Sequence, residues 1–372
     1  MVSKEHIKTV GKQFRIHGEF MNAIPYGGGH INDTFAAEYN QGGTPMRYIF
    51  QRINHNIFKD PALLMDNVSR VLSHSHDRLA DIDDASRRAL TLIPSASNQA
   101  YVVDDEGAYW RVYIFIEKAK TYDVVENEKQ AFEAARAFGN FQKLLVDIPG
   151  ERLKETIPDF HNTVQRYQTL VAAIEADTQN RANDVQAEIE FITQRESETR
   201  IIIDGINDGN IPERITHNDT KLNNVMIDDE TQEGICVIDL DTVMPGSALY
   251  DFGDLIRTST SPALEDEQDL SKVVVRPEMF QALAQGYLES AGDFLTPREL
   301  ELLPFSGKLI TLEIGIRFLT DYLEGDLYFK THRESHNLDR CRTQLKLVSS
   351  IEEQTDEMAA CIGKIKRTAS SH

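Results

Sequence analysis

THNDTKLNNVMIDDETQEGICVIDLD, residues Thr216 to Asp241, decides how the chain is read. Acidic, amide and basic side chains follow one another here at spacings suited to phosphoryl transfer. That reaction asks little covalent help of a protein and much positioning and charge neutralisation. Asp219, Lys221 and Asn224 come first, in a polar loop. The apolar run Ile235-Cys236-Val237-Ile238 then reads as a buried strand ending at Asp239, and a strand end holds a carboxylate rigidly.

An Asp, a Lys two residues on and an Asn five residues on match the order of a kinase catalytic loop. Asp219 is the candidate base that orients and deprotonates the acceptor hydroxyl, and Lys221 the cation that offsets charge on the transferred phosphoryl oxygens. Asn224 and Asp239 offer the oxygen ligands that Mg²⁺ prefers. Set against this is a polar turn followed by a strand with solvated acids; the two segments together favour the site over either alone. Asp241, two residues beyond Asp239 on the same strand face, is either a second metal ligand or the partner of a nearby Arg. Asp251-Phe252-Gly253 spells the metal-binding tripeptide of protein kinases, yet no apolar strand delivers it. It reads instead as the start of a helix over Asp251 to Thr258, its acid favoured by the dipole.

These segments resemble the aminoglycoside phosphotransferase and choline kinase superfamily, which has a protein-kinase-like fold. THNDTKLNN, IDLDTVMPGS, DFGDLIR, ALEDEQDLSKV, LLPFSGKL and RFLTDYLEGDLYF are similar, more narrowly, to the N-acetylhexosamine 1-kinase group within it. YGGGHINDT, WRVYIFIE and AFGNFQ extend the likeness over nearly the whole chain. The resemblance implies an α+β, two-lobed fold with a small antiparallel-sheet lobe and a larger, mainly helical lobe. It also implies ATP and Mg²⁺ as cofactors, and transfer of the γ-phosphate to the anomeric C1 hydroxyl of an N-acetylhexosamine. In such folds the hinge offers main-chain hydrogen bonds to adenine, here from Glu117 and Ala119.

A change of hydrophobic period near Phe115 sets the expected boundaries: a nucleotide-binding lobe over 1–116, a hinge over 117–120 and a catalytic and acceptor-binding lobe over 121–372. In the first lobe, Ser3 to Phe14 reads as a short helix and Arg15 to Ile24 as an extended approach to a glycine turn. Gly27, Gly28 and Gly29 let the backbone come close to phosphate oxygens, with Asn32 and Thr34 as added donors and His30 as a lesser candidate. Thr34 to Tyr39 and Met46 to Asn54 read as strands. The second lacks the lysine a kinase places there and offers Gln51 or Arg52 instead, on opposite faces. Helix-like Asp60 to Ser75 lacks a glutamate, leaving Asp66 as substitute partner. His74 and His76 read as a solvated helix face rather than metal ligands, Asn98 to Asp104 and Tyr109 to Ile116 as strands, and Trp110 as core.

Helices are expected over Glu126 to Val146, Pro158 to Asp177, Ala187 to Asn207, Arg276 to Phe294, Pro297 to Leu302 and Leu309 to Tyr328, with a frayed tail after Ala360. In the last of these helices Arg317 is embedded among apolar residues. It either pairs with Asp321 at i+4 or, as the resemblance implies, donates to sugar hydroxyls or the acetamido carbonyl, with Tyr328 packed beside the ring.

Formal net charge is −21, which argues against nucleic acid or an anionic membrane surface as partner. The three cysteines, Cys236, Cys341 and Cys361, are unclustered and suggest neither a disulfide framework nor zinc. MVSKEHIKTV lacks a signal-peptide core and no long apolar stretch occurs, so the expected location is cytoplasmic. Two rival functions remain: the same chemistry on an aminoglycoside, choline or an amino alcohol, and a pseudokinase interaction module, suggested by the missing lysine.

Overall fold

The structure, a computed structural model, describes residues 2–27 and 31–369, so Gly28, Gly29 and His30 of the glycine turn lie outside the described residues. Helix α1 (Lys4–Gly11) precedes β1 (Glu19–Pro25), β2 (Asp33–Gln41), β3 (Thr44–Ile53), α2 (Pro61–Leu79), the single turn α3 (Ala85–Arg88), β4 (Val102–Val103) and β5 (Tyr109–Ile114). The strands form one antiparallel sheet in the order β1-β2-β3-β5-β4. Its apolar alternation is clear: Phe35, Ala37, Phe50, Trp110 and Val112 face α1, where Ile7 and Val10 cover them. The register sets Thr34 opposite Gln51 and Gln51 opposite Arg111, so these three share the other face.

The helical lobe runs through β6 (Ala119–Lys120), α4 (Glu128–Leu145), α5 (Thr163–Ala176), α6 (Gln186–Thr193), α7 (Ile201–Asn207), β7 (Arg214–Thr216), β8 (Val225–Asp228), β9 (Gly234–Val237), β10 (Met244–Gly246), α8 (Ala248–Ser259), α9 (Pro277–Ala291), α10 (Pro297–Glu324) and α11 (His336–Ala369). Two small sheets, β6-β8-β9 and β10-β7, carry the catalytic stretch between them. One core joins α2 to α4, α8, α9 and the β8–β9 hairpin through Leu64, Val68, Phe138, Ile235, Phe252 and Leu283. A second packs α5 and α6 against α10 and α11 through Leu170, Ile192, Ile316, Leu319, Leu345 and Val348.

Helices α4 and α9 meet with almost no space between backbones. A Cβ on Gly286 would stand 2.1 Å from the carbonyl oxygen of Phe132. Gly286→Ala should therefore destabilise the fold by about 1–3 kcal/mol, as overpacking does. Urea unfolding reads this, and an unchanged midpoint would contradict the close approach.

The sheet-plus-helices plan follows the sequence reading, with four corrections. The strand expected over Asn98 to Asp104 shrinks to Val102–Val103, because Ser95 Oγ accepts from Gln99 N and closes a turn at Asn98. The helix expected over Ala187 to Asn207 is broken at Gln194 to Arg200, where Thr199 Oγ1 donates to Glu196 O. The two helices expected around Pro304 are one, α10. Pro304 costs a hydrogen bond, but Gly253 and Gly307 let α8 and α10 press together, and that burial holds the helix through it. Finally, α11, for which no helix is expected from the sequence, runs from His336 through the tail to Ala369 instead of fraying after Ala360.

Candidate active site

The loop between β7 and β8 is anchored from several sides. Asp251, fully buried in the first turn of α8, accepts from His217 N at 3.0 Å, Asn218 N at 2.7 Å and Gln142 Nε2 at 2.5 Å. The acid of the DFG tripeptide thus sits at the expected helix start, but its work is to hold the catalytic loop. Thr242 Oγ1 donates to His217 O at 2.7 Å, and Asn218 Nδ2 donates to Thr242 O at 2.9 Å. Asn218 is in the left-handed region, φ 65°, which Asn tolerates. His217 Nδ1 accepts from Asp219 N at 3.3 Å.

Asp219 lies at the end of this scaffold, half-buried, with Lys221 Nζ 2.7 Å from Oδ1. Burial opposes its charge, but Lys221 and Arg257 more than offset this and hold the carboxyl below its usual range. Asn224 Nδ2 donates to Asp219 O at 2.9 Å and to Asp219 Oδ2 at 3.3 Å. Both amide protons being so used, Asn224 Oδ1 is the atom left to accept a cation.

Asp239 follows β9 and Ile238 in the left-handed region, φ 59°, a conformation non-glycine residues adopt where local structure compels it. Asp239 is exposed as a residue, while protein atoms crowd its carboxylate. That enclosure, then Asp241, then Asp219, lifts its carboxyl to about 6. Such crowding of negative charge is relieved by a divalent ion. Among the described residues no cluster of three or more His, Cys, Asp or Glu forms a metal cage. One carboxylate and one amide oxygen suit Mg²⁺, which keeps waters and phosphate oxygens in its shell.

Asp241 does not continue the strand face of Asp239, because the chain turns at Leu240–Thr242. It pairs instead with the fully buried Arg111 guanidinium of β5 and accepts from Asn32 Nδ2 at 2.6 Å. Of the two readings of Asp241, the arginine partner is the one formed. Gln51 joins this network: its Oε1 accepts from Arg111 Nε at 3.0 Å and its Nε2 donates to Thr34 Oγ1 at 3.1 Å. Asn32 Oδ1 accepts from Asn54 N at 3.0 Å, so the end of the glycine turn is tied both to β3 and to the helical lobe. Gly27 has φ 76°, with open space where a side chain would stand.

Two expectations fail here, those for Arg52 and Asp66. Arg52 points to the far face of the sheet and pairs with Asp33, since alternation separates it from Gln51. Asp66 lies on the exposed face of α2 and partners no strand cation among the described residues; Met65 of α2 lies beside Arg111. Glu117 turns its carboxylate outward to Arg47, and its carbonyl accepts from Arg87 Nη2 at 2.8 Å. That carbonyl is thereby used, and Ala119 is buried in β6 opposite Asp228. Arg111 was missed. Its signal is the one noticed at Arg317, a charge inside an apolar run, YWRVYIF.

Arg317 of α10 forms neither the Asp321 pair nor any other ion pair among the described residues. Asp321 is occupied by Leu327 N, Tyr328 N, Phe329 N and Asn337 Nδ2. The Arg317 guanidinium lies among the rings of Phe160, Tyr328 and Phe329, 5.5–5.9 Å from their centroids. Tyr328 is 65% exposed. Phe160 is followed by His161, whose Nε2 is 3.0 Å from Asn218 O, so this aromatic frame abuts the catalytic loop.

The sequence pattern of the phosphotransferase enzyme family matches residues 22–301, three quarters of the chain. The chain belongs to the phosphotransferase enzyme family. It is a phosphotransferase. The matched span of this phosphotransferase holds the glycine turn, Arg111 and the loop from Thr216 to Asp241; Arg317 and Tyr328 lie beyond it. Similar solved structures include an aminoglycoside phosphotransferase from Alicyclobacillus acidocaldarius, with TM-score 0.62, 11% identity, and 96% of this chain and 97% of that one covered. A microcompartment-associated aminopropanol kinase follows at 0.59 and 13%, covering 95% and 98%. A choline kinase from Cryptosporidium parvum gives 0.53 and 15%, covering 97% and 98%. At such identities the likeness concerns the fold, a protein-kinase-like pairing of a sheet lobe with a helical lobe.

Proposed function

We propose that this phosphotransferase is a Mg²⁺-dependent sugar 1-kinase, moving the γ-phosphate of ATP to the anomeric C1 hydroxyl of a free N-acetylhexosamine such as N-acetylglucosamine or N-acetylgalactosamine. The observation that carries the choice of acceptor is the unpaired Arg317 guanidinium in its aromatic frame beside the catalytic loop. A guanidinium donates to hydroxyl and amide oxygens and repels a cationic acceptor. Tyr328 would lie beside the sugar ring.

In this reading Asp219 orients the hydroxyl and takes its proton. A carboxylate held below its usual range is a weak base, which suits an anomeric hydroxyl, more acidic than an ordinary alcohol. Lys221 offsets charge on the transferred oxygens, and Asn224 with Asp239 would hold Mg²⁺. When bound, that ion neutralises the phosphate oxygens. The glycine turn, with Asn32 and Thr34, covers the phosphates, and Gln51 acts by fixing Arg111 near them. The hinge around Ala119 borders the adenine. The expectation of a cytoplasmic enzyme remains a proposal; among the described residues no helix is long and apolar enough to cross a membrane.

The second reading, an amino alcohol or aminoglycoside acceptor, draws on the names of the similar structures. ATP consumption assayed with N-acetylglucosamine, N-acetylgalactosamine, choline, ethanolamine and kanamycin separates the two. Preference for a cationic acceptor would defeat the sugar reading. Arg317→Met should raise KM for the sugar about 10–100-fold, the equivalent of one charge-assisted hydrogen bond, with KM for ATP unchanged. An unaltered sugar KM would remove Arg317 from the acceptor site.

A further inference from the structure

We infer that His161 is an imidazolium whose two ring protons position the catalytic loop, one donated to the carbonyl of Asn218 and the other to Glu313. Nε2 lies 3.0 Å from Asn218 O and Nδ1 lies 2.9 Å from Glu313 Oε1. A carbonyl oxygen brings no proton, and neither does an ionised carboxylate. A neutral imidazole has one proton for these two acceptors, and its bare nitrogen would face a lone pair. His217, by comparison, has an N–H donor at Nδ1, that of Asp219.

The surroundings select the ion pair over a neutral histidine beside a protonated glutamate. Glu313 is fully buried, and its Oε2 accepts from Thr163 Oγ1 at 2.5 Å, leaving no oxygen without a donor. Arg317, one helical turn along α10, adds positive charge near Glu313, and Arg166 of α5 lies beside both. From α8, Asp254 favours a positive ring, and the Tyr250 ring covers His161 at 4.9 Å, with Phe160 at 4.8 Å. Burial opposes the charge on both partners, yet Glu313 and Asn218 raise His161 while His161 and Thr163 lower Glu313.

The consequence lies at the reacting end. Asp251 holds the N–H groups of His217 and Asn218, Thr242 holds the carbonyl of His217, and His161 holds the carbonyl of Asn218, immediately before Asp219. His161 also occupies Glu313, which would otherwise be free to turn toward Arg317 one turn away. One proton therefore keeps the catalytic loop in place and the Arg317 guanidinium open to an acceptor. His161 is a positioning residue; it touches neither substrate. This second half rests on the proposed roles of Asp219 and Arg317, whereas the charge state of His161 does not.

The sign of the pH dependence follows from the raised folded value. Stabilisation by the protonated ring is complete below about 6.5, the unfolded value, and is lost as pH rises through the folded one. Activity should fall along the same alkaline limb.

Nitrogen-15 histidine NMR on the full chain, with His161 assigned by its loss in His161→Gln, tests this directly. Both ring nitrogens of His161 should be protonated at neutral pH and lose that state together with the alkaline limb of kcat. A bare Nδ1 or Nε2 at neutral pH overturns the inference. His161→Gln should lower kcat about 10–100-fold, as a misplaced catalytic group does, with KM for ATP little changed and the limb gone; an unchanged kcat overturns the positioning role. Should that variant not fold, Glu313→Gln, assigned by elimination against the other histidines, should move the His161 titration and the limb toward acid together, and an unmoved titration overturns the pair. Because the NMR signal needs no turnover, it would persist in Asp219→Asn, which separates failure here from failure of the assigned base.

Discussion

Asp219→Asn is expected to lower kcat by about 10²–10⁴-fold, the usual contribution of a positioned base, with KM for ATP and the unfolding midpoint little changed. The amide has the same shape, and the loop's anchors, Asp251, Thr242 and the Asp219 carbonyl that binds Asn224, involve other atoms. The lost Lys221 pair is partly exposed, 41% and 28% for its two side chains, so its contribution to stability is small. Single-turnover measurement of sugar phosphate isolates the chemical step. Undiminished turnover would remove Asp219 from the role of base.

Arg111→Met is expected to act on the fold itself. Arg111 and Asp241 are 1% and 3% exposed, and the pair joins β5 of the sheet lobe to the turn that follows Asp239. Removing the cation leaves Asp241 buried without its counter-charge and next to Asp239, itself already crowded with negative charge. Breaking such a pair costs about 3–5 kcal/mol, a large part of a typical domain's stability. Asn32→Ala, which removes one neutral donor to the same carboxylate, should cost about 1 kcal/mol. Urea unfolding of the two variants measures the difference; equal losses would show that Arg111 is not the principal counter-charge.

The candidate site is legible because its residues are local in sequence. THNDTKLNN and VIDLD each lie in one loop or strand end, and their meeting requires only the short hairpin β8–β9 between them. Asp219, Asn224 and Asp239 stand out in the sequence as candidates, whereas the residues that hold them do not. Asp251 was recognised as a helix-start acid, while its grip on His217 and Asn218 depends on α8 crossing behind the loop, which no local pattern states. Arg111 stands 130 residues from Asp241, and His161 stands 152 from Glu313, so neither pair has a spacing to read.

Errors of secondary structure have local causes. Pro304 and Gly307 punctuate LLPFSGKL and suggest two helices, whereas burial of that segment against α8 carries the helix through. For α11 a signal was present and unread: Leu338, Cys341, Leu345 and Val348 recur at helical spacing. For Arg317 the sequence leaves two roles open, a pair with Asp321 or a donor to the acceptor. Only the structure reveals that Asp321 is already taken, by the turn at Leu327 to Phe329.

Incubation of the enzyme with ATP, Mg²⁺ and N-acetylglucosamine or N-acetylgalactosamine, followed by proton–phosphorus correlation NMR of the product, bears most directly on the proposal. A single phosphorus resonance coupled to the anomeric proton of the sugar is expected, and its absence in Asp219→Asn. Phosphate on any other hydroxyl, or turnover with choline or ethanolamine and none with either sugar, would contradict it.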